Sequence, residues 1–123
     1  KQSGFKLVPK LTKVYASDGD DAKVINSYEN ASILWNLYRA ESSKGVNDGC
    51  KRQNKFNGFG FRQNTKEHIC YEAFPEVVEA VNFWINKYKA VYSEAELYCY
   101  YNEGKPEGKV RSDCEYYKRI QAF

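Results

Sequence analysis

Residues 75–88, PEVVEAVNFWINKY, carry the clearest structural signal in the chain. Their apolar side chains recur about every 3.6 residues, which is the pattern of an amphipathic helix with one buried face. The members of this stripe are Val77, Val78, Val81, Trp84, Ile85 and Tyr88. Pro75 suits the first turn, because the N–H that proline lacks has no helical partner there. The stretch predicts a mainly α fold.

Three further helices are indicated. Asn26 and Glu29 form a capping pattern at the start of the first, which runs along an apolar stripe to Gly45. Capping-box sequences at 93–96 and 112–115 predict the starts of the other two.

The remaining segments lack helical periodicity. Residues 44–72 contain four glycines and predict a long Gly-rich loop, and loops of that length usually carry function. Residues 1–25 are weakly patterned and are interpreted as an N-terminal extension or arm, with a turn at 17–21. We expect one domain over 26–123, since the chain has 123 residues.

Composition excludes several classes of protein. A hydrophobic fraction of 42%, with two Trp, eleven Tyr and seven Phe, excludes a disordered tail. No apolar run approaches the roughly 20 residues that cross a bilayer, so no membrane span is expected. The net charge of +3 comes from scattered basic residues, which argues against a nucleic-acid partner and suits an anionic polymer such as a cell wall. The chain contains no Met and is interpreted as a processed or trimmed fragment.

Four cysteines are present: Cys50, Cys70, Cys99 and Cys114. An even number in a small domain favours two disulfides and an oxidising compartment. We expect the sequential pairing, Cys50–Cys70 and Cys99–Cys114, among the three connectivities; the alternative is four reduced cysteines in a cytosolic protein. The cysteines form no CxxC pair and His68 is the only histidine, which argues against a structural zinc site.

A carboxylate follows the apolar stripe of the first helix. That stripe consists of Ile33, Leu34, Leu37 and Tyr38. The next position on the same face is Glu41, where an unpaired charge is costly unless it is protonated or placed in a cleft. Burial would raise the pKa of this carboxyl, which is what a general acid needs near neutral pH. The alternative is a structural ion pair with Arg39 or Lys44 at the helix end.

The motifs that follow Glu41 resemble the lysozyme-like superfamily, most closely the soluble lytic transglycosylases and goose-type lysozymes. In that family a helix ends in Glu-Ser, a loop carries Gly-Leu-Met-Gln, Ala-Tyr-Asn-Ala-Gly follows, and a last helix begins with Tyr-Val. The similar stretches here are Glu41-Ser42, Gly60-Phe61-Arg62-Gln63, Tyr101-Asn102-Glu103-Gly104 and Tyr116-Tyr117. The stretch 57–60, Asn-Gly-Phe-Gly, is also similar to the Asn-x-Phe-Gly-Ile loop of the related glucosaminidases.

The resemblance implies a lysozyme-like helical domain that cleaves the MurNAc–GlcNAc β-1,4 bond of peptidoglycan. It implies that Glu41 is the single general acid/base and that no metal or cofactor takes part. It also implies substrate contacts for Ser42, Phe61, Gln63, Tyr101, Asn102 and Tyr116. A periplasmic or secreted location follows, and membership of a larger cell-wall or secretion assembly is left open.

Several alternatives stay open. A non-catalytic domain that binds glycan or recruits a partner fits the Tyr content and the disulfides equally well. A small secreted toxin or inhibitor with an unrelated helical fold is the third hypothesis. Glycosidases generally use two carboxylates, and nothing in the sequence separates the candidates for a second one, which are Asp48, Glu67, Glu72 and Glu103. Hydrolysis and anhydro-sugar formation are not distinguished, nor are muramidase and glucosaminidase.

Overall fold

The computed structural model describes residues 18–62, 67–104 and 108–123. Within these ranges the chain forms five α-helices and no strand, with one isolated β-bridge between Phe56 and Tyr71. The mainly α prediction is therefore confirmed. None of the helices in these ranges combines the length and apolar character that crossing a membrane requires.

The chain divides into two compact units between Asn82 and Phe83. The first contains α1 (Asp18–Asn26), α2 (Ala31–Ser42), a 3-10 helix (Gly49–Gln53) and most of α3 (Phe74–Tyr88). In it, α1 packs against α2. The second contains the end of α3, then α4 (Glu94–Glu103) and α5 (Glu115–Gln121), which pack against each other.

Part of each predicted apolar stripe forms the core of the first unit, whereas Ile33 is only half-buried and Trp84, Ile85 and Tyr88 belong to the second unit. Leu34 and Leu37 of α2 are at most 1% exposed, and Val77, Val78 and Val81 of α3 are fully buried. Burying an aliphatic side chain of this size contributes about 1.5–3 kcal/mol. These two helices therefore supply much of the apolar surface that the unit buries.

The start of the first helix differs from the prediction. The turn expected at 17–21 and the helix start expected at Asn26 are both wrong, because α1 ends at Asn26 and α2 begins at Ala31. Acidic Asp20 and Asp21 favour a helix N-terminus through its partial positive charge, and α1 buries Val24 and Ile25. Residues 1–17 of the expected extension lie outside the described residues.

Of the two capping boxes, one is confirmed and one is wrong. The Ser93 hydroxyl accepts the Glu96 N–H at 3.2 Å, and the Glu96 carboxylate accepts the Ser93 N–H at 2.9 Å. At 112–115 no such box forms, because α5 begins one residue after Cys114, whose sulfur accepts the Tyr117 N–H at 3.4 Å. The disulfide fixes Cys114 at this position, and the helix starts from it.

Both predicted disulfides are confirmed. Cys50–Cys70 and Cys99–Cys114 span 20 and 15 residues. Loops of this length contribute about 3 kcal/mol each in the chain-entropy model. Paired cysteines are typical of proteins in oxidising compartments.

The second unit also contains a cluster of half-buried rings. Its five members have neighbouring centroids 5.0–6.1 Å apart. They are Trp84, Tyr88, Tyr92, Tyr100 and Tyr101. A hydrogen bond with Tyr88, together with burial, raises the pKa of Tyr100 to about 12. The five rings therefore pack against one another while each stays partly exposed to solvent.

Candidate active site

α2 ends immediately after Glu41 and Ser42. Ser43 takes a left-handed conformation (φ 53°, ψ 49°) and donates its N–H to a carbonyl of the last turn at 3.0 Å. The Ser42 hydroxyl accepts the Gly45 N–H at 2.8 Å and donates to the Tyr38 carbonyl at 3.3 Å. The chain therefore turns away at once, and Glu41 lies half-buried in the last helical turn. Ser42 is buried and holds this turn together.

The Gly-rich loop lies directly against this helix end. A Cβ added at Gly60 would lie 2.5 Å from Oε1 of Glu41, and Gly60 has a φ of +60°. A Cβ added at Gly58 would lie 2.6 Å from the Tyr38 ring and 2.9 Å from Oγ of Ser42. At Gly58 a side chain would collide with the Tyr38 ring, and at Gly60 a side chain would displace the Glu41 carboxylate and strain the left-handed backbone. The first two motifs, 19 residues apart in the chain, are thus in contact.

Asn57 holds the loop in shape. Its side-chain amide donates to the carbonyls of Phe61 at 2.9 Å and Ile69 at 2.7 Å, and its Oδ1 accepts the Phe61 N–H at 3.0 Å. Its own N–H donates to the Asp48 carboxylate at 3.0 Å, and the other oxygen of that carboxylate accepts the Cys50 N–H at 3.0 Å. Asn57 and Asp48 are both buried, so these bonds are shielded from water and fix the loop backbone.

Aromatic packing anchors the same loop. The Phe59 ring stacks on the Tyr38 ring, with centroids 4.8 Å apart and planes 17° apart. The Tyr38 hydroxyl donates to the Asp21 carboxylate at 2.6 Å in the interior. Phe59 is 0% and Phe61 5% exposed. This burial favours rings that anchor the loop in the core over rings that form a floor for a sugar.

The segment that contains the helix end and most of the Gly-rich loop is rich in basic residues. Residues 39–62 carry six basic side chains against two acidic ones, Glu41 and Asp48, giving this segment +4 where the whole chain has +3. The basic members are Arg39, Lys44, Lys51, Arg52, Lys55 and Arg62. Such a concentration raises the local density of anionic ligands.

The other predicted site residues belong to the second unit or fall outside the described residues. Gln63 falls outside the described residues. Tyr101 and Asn102 belong to α4 in the second unit, where Tyr101 meets the Trp84 ring edge-on at 5.2 Å and Asn102 is exposed. Tyr116 of α5 is 3% exposed, with the Arg119 guanidinium 5.3 Å from its ring centroid. Substrate contacts for these four residues stay predictions.

Three of the four candidates for a second catalytic carboxylate have hydrogen-bond or ion-pair partners, and the fourth is exposed. Asp48 accepts two backbone N–H groups, as described above. Glu72 pairs with Lys55 at 3.2 Å, and Glu103, in the second unit, pairs with Arg111 at 3.6 Å. Glu67 is exposed. The hydrogen bonds of Asp48 and the ion pair of Glu72 do not involve Glu41.

Glu79 of α3 is a further acidic group, and its pKa is shifted by its surroundings. Burial raises the pKa of Glu79, and burial together with the Glu79 charge raises the pKa of Tyr28 well above its usual range. The Asn30 amide donates to Asn82 of α3 at 2.9 Å, which places this region at the start of α2. Eleven residues of helix correspond to roughly 16 Å, so Glu79 is too far from Glu41 to act with it.

Sequence reasoning missed the residues that position the site. Asp21 was expected in a turn, Asp48 was considered only as a second catalytic carboxylate, and Asn57 only as part of the Asn-Gly-Phe-Gly stretch. Their burial depends on contacts that are distant in the chain, such as the 17-residue separation between Tyr38 and Asp21. The one local signal was the Gly-x-Gly spacing on either side of Phe59.

No protein-family model, curated protein or solved structure matches this chain. The functional interpretation therefore depends on the residues of the site and on the order of the motifs.

Proposed function

We propose that this protein has a lysozyme-like fold and cleaves the MurNAc–GlcNAc β-1,4 bond of peptidoglycan. The observation that carries the proposal is the contact between the Glu41 carboxylate and Gly60. It brings together Glu41-Ser42 and Gly60-Phe61-Arg62-Gln63, the first two of the motifs that resemble those of lytic transglycosylases and goose-type lysozymes.

The chemistry assigned to Glu41 is general acid and then general base catalysis. Its carboxyl proton passes to the glycosidic oxygen as the bond to the anomeric carbon breaks. The resulting carboxylate then accepts a proton from the attacking hydroxyl, which belongs either to water or to the 6-position of the same muramyl residue. Attack by water gives a reducing end, and internal attack gives an anhydro sugar.

The rigidity of the surroundings supports this role. Glu41 lies between a helix end closed by Ser42 and a loop fixed by Asn57. Catalytic groups act efficiently when bonded and packed neighbours limit their motion.

Charge supports an anionic substrate. The excess of basic residues in 39–62 would attract a strand whose stem peptides carry carboxylates. Asp48 and Glu72 are engaged by other groups, which fits the one-carboxylate pattern of the lytic transglycosylases, in which the substrate's own hydroxyl replaces the second carboxylate.

The test compares three proteins on purified peptidoglycan: wild type, Glu41→Gln and Glu29→Gln. Glu29 is an exposed residue in the turn before α2 and serves as the matched control. We expect wild type and Glu29→Gln to release soluble fragments, while Glu41→Gln binds the insoluble wall but releases none. If no variant releases fragments but all three bind, the protein is a glycan-binding domain and the proposal is wrong.

A further inference from the structure

One group of metal-ligating side chains lies outside the proposed catalytic residues. Within the described part of the chain, a ring nitrogen of His68 and the sulfurs of Cys50 and Cys70 lie within 4.8 Å of one another. Cys50 is buried, Cys70 is half-buried and His68 is exposed. In the oxidised chain the two sulfurs are bonded to each other, so neither is a thiolate.

The backbone holds Cys50 in place independently of that bond. Its N–H donates to Asp48 at 3.0 Å, and its carbonyl accepts the Lys55 N–H at 3.1 Å. Cys50 also lies within the 3-10 helix Gly49–Gln53. These contacts do not require the disulfide.

The segment that carries Cys70 and His68 is held from the other side. The Ile69 carbonyl accepts the buried Asn57 amide at 2.7 Å. Tyr71 exchanges two backbone hydrogen bonds with Phe56, both of 2.8 Å. Residues on both sides of Cys70 are therefore bonded to Phe56 and Asn57, and Asn57 is bonded in turn to Asp48. We expect these bonds to keep the two sulfurs close when the disulfide is opened.

We propose that the reduced protein binds one zinc ion through Cys50, His68 and Cys70, with water as the fourth ligand. Zinc prefers tetrahedral sulfur and imidazole ligands, with bonds of about 2.3 Å to sulfur and about 2.0–2.1 Å to nitrogen. In a tetrahedral site these bond lengths place the donor atoms roughly 3.6–3.8 Å apart. The three donor atoms already lie within 4.8 Å of one another, so only a small adjustment of the side chains is needed.

A trialkylphosphine in water reduces the Cys50–Cys70 disulfide to two thiols. A trialkylphosphine takes oxygen from water and becomes the phosphine oxide, and the disulfide gains two electrons and two protons to give two thiols. Each thiol releases its proton when its sulfur binds zinc, and His68 binds as the neutral imidazole. The ion then replaces the disulfide as the cross-link that closes the loop containing Asn57 and Gly60.

The experiment reduces the protein with a trialkylphosphine, removes the reductant without oxygen and titrates with zinc chloride. Bound metal is measured by equilibrium dialysis and elemental analysis, and helical content by circular dichroism. We expect one zinc per reduced wild-type chain and none per oxidised chain. Cadmium chloride provides a second readout, because cadmium bound to thiolates absorbs in the ultraviolet.

Three variants assign the ligands. Cys99→Ser/Cys114→Ser keeps the proposed ligands and should bind one zinc. Cys50→Ser/Cys70→Ser keeps the other two thiols and should bind none. His68→Ala should bind at least ~10-fold more weakly, since losing even an outer-shell partner of a zinc ligand costs 10–100-fold in affinity.

Some results would overturn the proposal. One is a reduced wild-type chain that takes up no zinc, whether it stays folded or unfolds. Another is wild-type affinity in His68→Ala, and a third is equal uptake by Cys50→Ser/Cys70→Ser. A reduced chain that unfolds and regains helical content only with zinc supports the proposal, because metal binding then drives folding.

Discussion

Replacing Gly60 with alanine tests whether the position of Glu41 governs activity. The new Cβ would lie 2.5 Å from Oε1 of Glu41, whereas ordinary contacts begin at 3.4 Å. The carboxylate must therefore move by about 0.9 Å, because it is the flexible end of a side chain and the loop backbone is bonded in place. A misplacement of about 1 Å can lower a rate about 100-fold, so we expect a loss of that order in kcat/KM on peptidoglycan.

Gly60→Ala also carries a backbone cost. A residue with a Cβ in the left-handed region is less stable by about 1–2 kcal/mol, so urea denaturation should show the free energy of unfolding lowered by that amount. Gly108 is the matched control, since its φ is +76° and an added Cβ there would meet nothing within 4 Å. Gly108→Ala should lose similar stability and keep full activity.

The decisive comparison uses both variants at a temperature where circular dichroism shows each to be folded. If Gly60→Ala retains the wild-type kcat/KM, the position of Glu41 against the loop does not matter and the catalytic assignment fails. An equal loss of activity in Gly108→Ala would show that general destabilisation, not displacement of the carboxylate, accounts for the effect.

Three further predictions concern stability, each measured by urea unfolding. Ser93→Ala removes the confirmed capping box and should lower the free energy of unfolding by about 1 kcal/mol. An unchanged free energy of unfolding would show that the cap does not stabilise the protein. Cys99→Ser/Cys114→Ser opens a 15-residue loop and should cost about 3 kcal/mol, a value that a loss below 1 kcal/mol would contradict. Burial raises the pKa of Glu79 above its usual 4.5, so the contribution of this carboxyl to stability falls as pH rises from 4.5 through the raised value. Glu79→Gln should therefore be the more stable protein at pH 7 and equal to wild type below pH 4.5, and the opposite order at pH 7 would refute the burial argument.

The features that sequence predicted correctly are those whose cause is local. The stripe of α3 follows from its own periodicity, and the Ser93 box depends on two residues three positions apart. Sequential disulfide pairing was the expected choice because it closes the shortest loops. Each of these needs little knowledge of the rest of the chain.

The features that sequence missed depend on distant contacts. Cys114 caps α5 because its partner is in α4, and no local pattern indicates that. The start of α1 was predicted as a turn because its first residues are acidic and Gly-containing. The local pattern did not indicate that Val24 and Ile25, later in the same helix, are buried. The burial of Asn57 follows from bonds to Asp48 and Ile69, which the loop composition does not specify.

The most direct test of the central claim is mass spectrometry of the soluble products that the wild-type protein releases from purified peptidoglycan. The account predicts muropeptides that end at a muramyl residue and that disappear with Glu41→Gln. An end lighter by one water would assign internal attack by the 6-hydroxyl, and a reducing end would assign attack by water. Cleavage at the glucosaminyl bond, or no soluble fragments from folded wild-type protein, would contradict the account.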